Sequence, residues 1–155
     1  MAIEKVHTYF KQFQMEDQIL TFEASTATVQ EAAAALGCEP ARIAKSLTFS
    51  VGEDAILIVA AGDAKVDNSK FKAHFGVKAR MLKADEVEPQ IGHAIGGVCP
   101  FAVNEDVTVY LDESLKRFDT VFPACGSSNS AIELTIAELD RYSNNKEWVD
   151  VFKGW

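Results

Sequence analysis

Long hydrophobic runs are absent: the longest stretch of apolar side chains is Ala55 to Ala61, far short of the roughly 20 residues that a membrane-spanning helix requires. The opening residues, Met1 to His7, carry no basic region, apolar core or small-residue cleavage site of a secretory signal, so the expectation is a soluble, cytoplasmic chain with no membrane contact. Cysteine is scarce. Cys38, Cys99 and Cys125 are odd in number and widely spaced, which argues against a disulfide framework or a CxxC metal clip and for reduced thiols. His7, His74 and His93 are equally scattered, with no HExxH and no carboxylate cluster at ligand spacing. No metal and no other cofactor is therefore expected. Glycine and proline, at 9 and 4 residues, are too few for a collagenous or low-complexity chain.

Positive charge is also in short supply. Lys and Arg number 15 against 23 Asp and Glu, a formal charge of −8, which excludes a protein that coats nucleic acid through its phosphates. One segment departs from that average. Between residues 65 and 83, Lys65, Lys70, Lys72, Lys78, Arg80 and Lys83 face the single acid Asp67. On charge alone such a stretch reads first as a solvated helix face, and second as a small landing site for a phosphate backbone.

The 155 residues, 48% of them hydrophobic, suit one domain with a core of its own. Ile3, Val6, Phe10 and Phe13 share a helical stripe, and Leu20 with Phe22 suggests a short strand. Thr28 and Glu31 form a capping box for a helix that Gly37 stops, and Pro40 opens a further turn. Lys45 to Val51 alternates strictly, which places Leu47, Phe49 and Val51 on one strand face and the hydroxyl residues on the other. Lys45 shares the apolar parity, so its side chain either snorkels to water or lines a pocket at the rim of the sheet. Gly52–Asp54 turns into the wholly apolar strand 55–61, predicting a hairpin whose second strand is central. Farther on, a helix is expected from Asp67 to Phe75 and a short one from Lys83 that ends near Pro89. Strands are expected around Val107–Leu111, Val121–Ala124 and Ile132–Leu134. A second capping box, Thr135 and Glu138, opens a helix toward Tyr142, and the apolar tail 148–155 is expected to fold back on the body. The fold class is α+β: a single domain with a curled, barrel-like mixed sheet flanked by helices.

Standard catalytic motifs fail. There is no GxGxxG or GxxxxGK[ST], and Gly126-Ser127-Ser128-Asn129-Ser130 lacks the second glycine of a nucleophile elbow. A thiol hydrolase built on Cys99 or Cys125 with His93 needs an adjacency that spacing does not reveal, and a buried thiol is the commoner role. The loop Gly92 to Pro100 holds three glycines, whose backbone can approach a carboxylate, a phosphate or an ester oxyanion, or simply turn tightly.

The run Ala41-Arg42-Ile43-Ala44-Lys45-Ser46-Leu47, the GxxxP element Gly96-Gly97-Val98-Cys99-Pro100, and Cys125-Gly126-Ser127 followed by Ile132-Glu133-Leu134 resemble, in order and spacing, the YbaK/EbsC family. The segment from Ser25-Thr26 to Gly37 adds to the match, which spans roughly Leu20 to Leu139. This is the family of prolyl-tRNA synthetase-associated editing domains and their freestanding relatives. The resemblance implies one editing domain over residues 1–155 that hydrolyses the ester between a wrong amino acid and tRNA, most often cysteine or alanine on proline tRNA, without metal. It implies that Lys45 is the key lysine, that Gly96, Gly97 and Val98 form the catalytic loop, and that Ser25, Thr26, Cys99, Pro100, Gly126, Ser127 and Ser128 bind substrate. Where several relatives carry a histidine or aspartate near the last loop, this chain has Ser127, Ser128 and Asn129.

An aminoacyl ester is already activated, so positioning it and stabilising its oxyanion suffice, with water, a ribose hydroxyl or the substrate's own side chain as nucleophile. The expectation is that the Gly96, Gly97 and Val98 amides face the ester carbonyl while the Lys45 ammonium holds the ester or the terminal adenosine. Lys70, Lys72, Lys78 and Arg80 would then touch the acceptor end of the tRNA, and prolyl-tRNA synthetase is an expected partner. The competing reading is a non-catalytic module that binds an amino acid or aminoacyl-tRNA.

Overall fold

A computed structural model of the chain describes residues 2–155. Five helices, α1 (Ala2–Lys11), α2 (Val29–Leu36), α3 (Asn68–Phe75), α4 (Ala84–Ile91) and α5 (Ile136–Tyr142), are interspersed with ten strands. The strands are β1 (Leu20–Thr21), β2 (Ile43–Val51), β3 (Asp54–Ala61), β4 (Lys65–Val66), β5 (Thr108–Asp112), β6 (Thr120–Pro123), β7 (Ser130–Ala131), β8 (Leu134–Thr135), β9 (Glu147–Val149) and β10 (Phe152–Lys153). Six of them make a curled mixed sheet in the order β8-β6-β2-β3-β5-β9, and β1 with β7 and β4 with β10 form two short antiparallel ribbons.

The sheet is built around the expected hairpin. β2 and β3 pair antiparallel from Ala44↔Ala61 to Val51↔Asp54, closed by a two-residue turn in which Gly52 takes φ +62°. Both faces of β3 are covered, which explains its unbroken apolar sequence. Leu57, Val59 and Ala61 join Val6 and Phe10 of α1, Ile91 of α4 and Leu139 of α5 in the larger core. Ile56, Ile58 and Ala60 point the other way, into a second core with Phe49, Phe71, Tyr110 and Phe152.

Local signals set most helix ends. The Thr28–Glu31 and Thr135–Glu138 capping boxes both form, and α2 and α3 stop at Gly37 and Gly76 in left-handed conformations. The tail folds back as β9 and β10, the latter paired with β4. Two expectations need correction. The predicted strand around residues 132–134 is split into β7 and β8. The helix predicted to stop near Pro89 runs through it to Ile91. Proline removes one helical hydrogen bond there, and beyond it Asn104 caps the last carbonyls of the helix, donating its side-chain amide to those of Pro89 and Gln90 at 3.1 Å each. The Asn104 backbone N–H also donates to the Ile91 carbonyl at 2.9 Å, closing the helix end.

Candidate functional site

The site begins as a gap along one edge of β2. On that edge β6 runs parallel to β2 only at Ile43 and Ala44 and ends at Pro123, a residue tolerated at strand ends because it lacks an amide donor. Coverage resumes where the segment before α4 crosses: the Leu82 amide donates to the Thr48 carbonyl at 3.1 Å and the Ser50 amide to the Arg80 carbonyl at 2.8 Å. Between these attachments a cavity of about 490 Å³ opens onto β2 residues 44–48. Its walls come from the loop leading into α2, the 81–82 crossing, α4 and the GxxxP loop. They are mostly apolar, and no Asp or Glu lines them.

Lys45 lines this cavity from a half-buried position. Its ammonium is held by two backbone carbonyls of the turn after β3, Gly62 (3.3 Å) and Ala64. Burial lowers its pKa below the ordinary lysine value; Asp63 opposes that shift and Lys65 adds to it. The turn is itself fixed. A Cβ on Gly62 would lie 2.0 Å from the Pro40 carbonyl oxygen, so only glycine permits this approach. Asp63 makes a two-pronged pair with Arg117 at 3.0 and 2.6 Å, and this guanidinium holds its carboxyl below the usual carboxylate range.

The GxxxP loop enters from the opposite side, with Gly96 at φ +95° and both Gly96 and Val98 on the cavity. Gly97 is turned away. Its amide donates to the Ala94 carbonyl at 3.0 Å, and a Cβ there would stand 2.6 Å from the backbone of Gly126 and Ser127. Of the three amides expected to face an oxyanion, the structure thus removes that of Gly97 and gives it a joining role between two loops. The Gly96 and Val98 amides meet no acceptor among the described residues.

Other predicted site residues are sorted by this loop. Thr26 lies on the cavity, only 6% exposed. Ser25, Gly126, Ser127 and Ser128 fall on the far side, around a neighbouring hollow of about 520 Å³ that also contains Gly97. Ser127 there bonds Ser130 at 2.7 Å. Cys99 and Pro100 line neither hollow. The GxxxP loop turns Cys99 into the main core, fully buried, because its small apolar side chain fits there. The adjacency with His93 does exist: Cys99 Sγ lies 3.5 Å from His93 Nε2, which is also 2.7 Å from the Phe101 carbonyl. Burial pushes the thiol up to about 12 and lowers the imidazole pKa, so the pair stays neutral and is no nucleophile.

The basic segment divides as well. Lys70 is tied to Asp150 at 3.0 Å and to the Phe152 carbonyl at 3.2 Å, and so serves the α3–tail junction. Lys72 and Lys78 converge with Asn68 and Ser69 on a separate recess of about 450 Å³. Ala79 borders that recess and Met81 borders the main cavity, so the two are linked by a step of two residues, at most about 7 Å of chain. Arg80 lies between them, exposed.

Several lining residues escaped the reading of the sequence, among them Ser46, Thr48, Met81 and Ile95. For Ser46 and Thr48 the alternation of β2 gave no signal, since Lys45 and Leu47 of the opposite parity line the same cavity. Met81 and Ile95, 53% and 62% exposed, are solvent-facing apolar residues at the rim, a placement no local pattern encodes. Among the described residues, no three His, Cys, Asp or Glu side chains converge as metal ligands would, and no helix is long and apolar enough to cross a membrane.

Comparison with known proteins agrees with this architecture. The chain is 57% identical to YwhH of Bacillus subtilis (strain 168), a protein without an assigned function, over 100% of this chain and 99% of YwhH. It is 31% identical to the proline–tRNA ligase of Limosilactobacillus fermentum, covering 90% of this chain but 26% of the ligase. The B. subtilis ligase gives 28% over 97% of this chain and 24% of the ligase, so the chain spans about a quarter of these enzymes. Among solved structures, a protein proposed to be a trans-editing enzyme for prolyl tRNA synthetase superposes with TM-score 0.87 at 30% identity, covering 99% of this chain and 98% of that one. The family described as the aminoacyl-tRNA editing domain matches residues 23–142. With that match over most of its length and the same curled-sheet fold, the chain belongs to the aminoacyl-tRNA editing domain family.

Proposed function

We propose that this chain, as one editing domain over residues 1–155, acts in trans to hydrolyse mischarged aminoacyl-tRNA, proline tRNA carrying a wrong small amino acid such as cysteine or alanine. The observation that carries the reading is that Lys45, Gly96 and Val98 line one mostly apolar cavity and that the Gly96 and Val98 amides have no acceptor among the described residues. Two backbone donors from a glycine loop suit the oxyanion of an attacked ester. The Lys45 ammonium supplies positive charge where the terminal adenosine or the ester would lie, in a half-buried setting that strengthens it. The nucleophile is water or a hydroxyl of the substrate, since the Cys99–His93 pair is neutral and enclosed. The recess at Lys72 and Lys78, a step away from the cavity, supports contact with acceptor-end phosphates, and the fold's similarity to part of prolyl-tRNA ligases supports cooperation with that synthetase.

The test is deacylation of proline tRNA charged with alanine, cysteine, serine, threonine or proline, by the wild-type chain and by Lys45→Ala. Selective release of one wrong amino acid, reduced about 10²-fold or more in the variant, is the expected result. Undiminished release by a folded Lys45→Ala would remove the lysine from the mechanism, and no release from any substrate would favour a binding module.

A further inference from the structure

An ammonium carries three N–H donors. Two of those on Lys45 are spent on the Gly62 and Ala64 carbonyls, and one remains for a group in the cavity that Lys45 lines. The residue between those two carbonyls is Asp63, so the turn that holds the lysine also brings an acid to it. Burial lowers the Lys45 pKa and Asp63 acts on it in the opposite sense, while Lys45 adds a smaller part to the hold of Arg117 on the Asp63 carboxyl. An unpaired carboxylate at this place would compete with substrate for the remaining donor, because a charged acceptor binds an ammonium roughly twice as strongly as a neutral one.

Arg117 occupies that competitor. Its Nη1 and Nη2 donate to both Asp63 oxygens, at 3.0 and 2.6 Å. The guanidinium is fixed in its turn: Nε donates to the Ser114 carbonyl at 3.0 Å, and the group lies 4.8 Å from the Phe118 ring centroid and 5.3 Å from that of Trp155. Ser114 accepts the Ala61 amide at 3.1 Å and is held through its own amide by the buried Asp112 at 3.0 Å, so the 3-10 turn Glu113–Arg117 grips the end of β3 and the turn after it together. The backbone of that turn has holds of its own, from the Gly62 amide to the Ala41 carbonyl at 3.3 Å and from the Ala64 amide to the Ala61 carbonyl at 3.0 Å. What the Arg117 pair governs is therefore the direction of the Asp63 side chain. Its side chains are 30% and 35% exposed, a setting in which an ion pair adds little to fold stability.

We propose that Arg117 is a positioning residue for Lys45: by holding the Asp63 carboxylate in a two-pronged pair, it keeps that acid off the lysine and leaves the third donor of the ammonium to the substrate. The role rests on the deacylase reading and deepens it, since Arg117 acts through Asp63 and Lys45 and itself touches no reacting atom.

The experiment compares wild type, Arg117→Gln, Arg117→Lys, and Arg117→Gln combined with Asp63→Asn, on proline tRNA charged with alanine, cysteine, serine or threonine, alongside an NMR titration of the Lys45 ammonium. Arg117→Gln is expected to lower kcat/KM about 10-fold or more and to raise the Lys45 pKa, as the released carboxylate takes the ammonium. Arg117→Lys keeps a cation without the planar fork, so it loses less. Adding Asp63→Asn to Arg117→Gln removes the competitor, restores most of the rate and lowers the Lys45 pKa again. Lys65, the other charge acting on Lys45, is untouched throughout. A residue that merely braced the fold would leave the double variant as slow as Arg117→Gln or slower. That result, a wild-type rate in Arg117→Gln, or an unmoved Lys45 pKa overturns the role, while wild-type turnover keeps the deacylase reading. Absence of wild-type turnover on every substrate overturns the deacylase reading, and the titration then decides alone whether Arg117 holds Asp63 off the lysine.

Discussion

Gly97→Ala isolates the contact between the GxxxP loop and the 126–128 loop. A Cβ at this position would lie 2.6 Å from the Gly126 carbonyl carbon and from the Ser127 nitrogen, and 2.8 Å from Ser127 Cα. All three are backbone atoms, so no side chain can rotate away. Ordinary carbon contacts begin near 3.5 Å, which means that the two loops must part by about 1 Å. Gly97 is not among the residues with positive φ, so the effect is one of space alone. Overpacking of this kind costs about 1–3 kcal/mol, which for a chain of this length lowers Tm by roughly 3–10 °C. The Gly96 and Val98 amides move with the loop, and a displacement near 1 Å at a reacting centre costs about 10²-fold in rate. Gly52→Ala is the control. It lies in the β2–β3 turn at φ +62° with nothing within 4 Å of a Cβ, so the expected cost is about 1 kcal/mol of strain with kcat/KM unchanged. Single-turnover deacylation and thermal melts of both variants decide the matter. A Gly97→Ala protein with wild-type rate and Tm would refute the claim that this backbone contact positions the GxxxP loop for the proposed deacylation.

The remaining expectations concern charge and thiols. Because burial lowers the Lys45 pKa, deacylation that uses its ammonium declines as pH rises through a value below 10.5. Asp63→Asn removes an opposing influence and moves that limb to lower pH, Lys65→Gln moves it higher, and a pH profile corrected for spontaneous ester hydrolysis reads both. The same depression makes the wild-type fold gain stability as pH climbs from the lowered value toward 10.5, where the unfolded chain still binds the proton. Iodoacetamide at neutral pH labels the partly exposed Cys38 and spares the buried Cys99 and Cys125, leaving activity intact; inactivation in step with Cys99 labelling would restore a thiol mechanism. Charge reversal at Lys72 and Lys78 raises KM for tRNA and flattens its logarithmic salt dependence by about one unit per lysine. Lys70→Glu instead breaks the contact with Asp150 and is read as lower Tm without that change in salt slope.

Local structure was largely written in local sequence. Thr28 and Glu31, or Thr135 and Glu138, are three residues apart and cap each other, so the helix starts could be read directly; the same holds for the stops at Gly37 and Gly76 and for the β2–β3 turn at Gly52. Pro89 shows the limit. Its helix runs on to Ile91, where Asn104, 15 residues after Pro89, closes the end by donating to the Pro89 and Gln90 carbonyls. The resemblance to editing domains rested on residue order, and the family match over residues 23–142 agrees with it.

Which of those residues share a cavity was decided only by tertiary structure. Ser25 and Thr26 are chain neighbours, yet they fall on different hollows, as do Gly97 and Gly96 of the GxxxP loop. Cys99 belongs to the GxxxP motif but is spent on the core. Lys45 was identifiable as a strand lysine with apolar parity, while the carbonyls that hold its ammonium lie 17 and 19 residues away. Caps, turns and alternation depend on hydrogen bonds and side-chain directions within a few residues, so the sequence determines them by itself. The cavity depends on where β6 leaves β2 and where the 81–82 crossing rejoins it, and that gap exists only once segments about 40 to 80 residues apart have packed together.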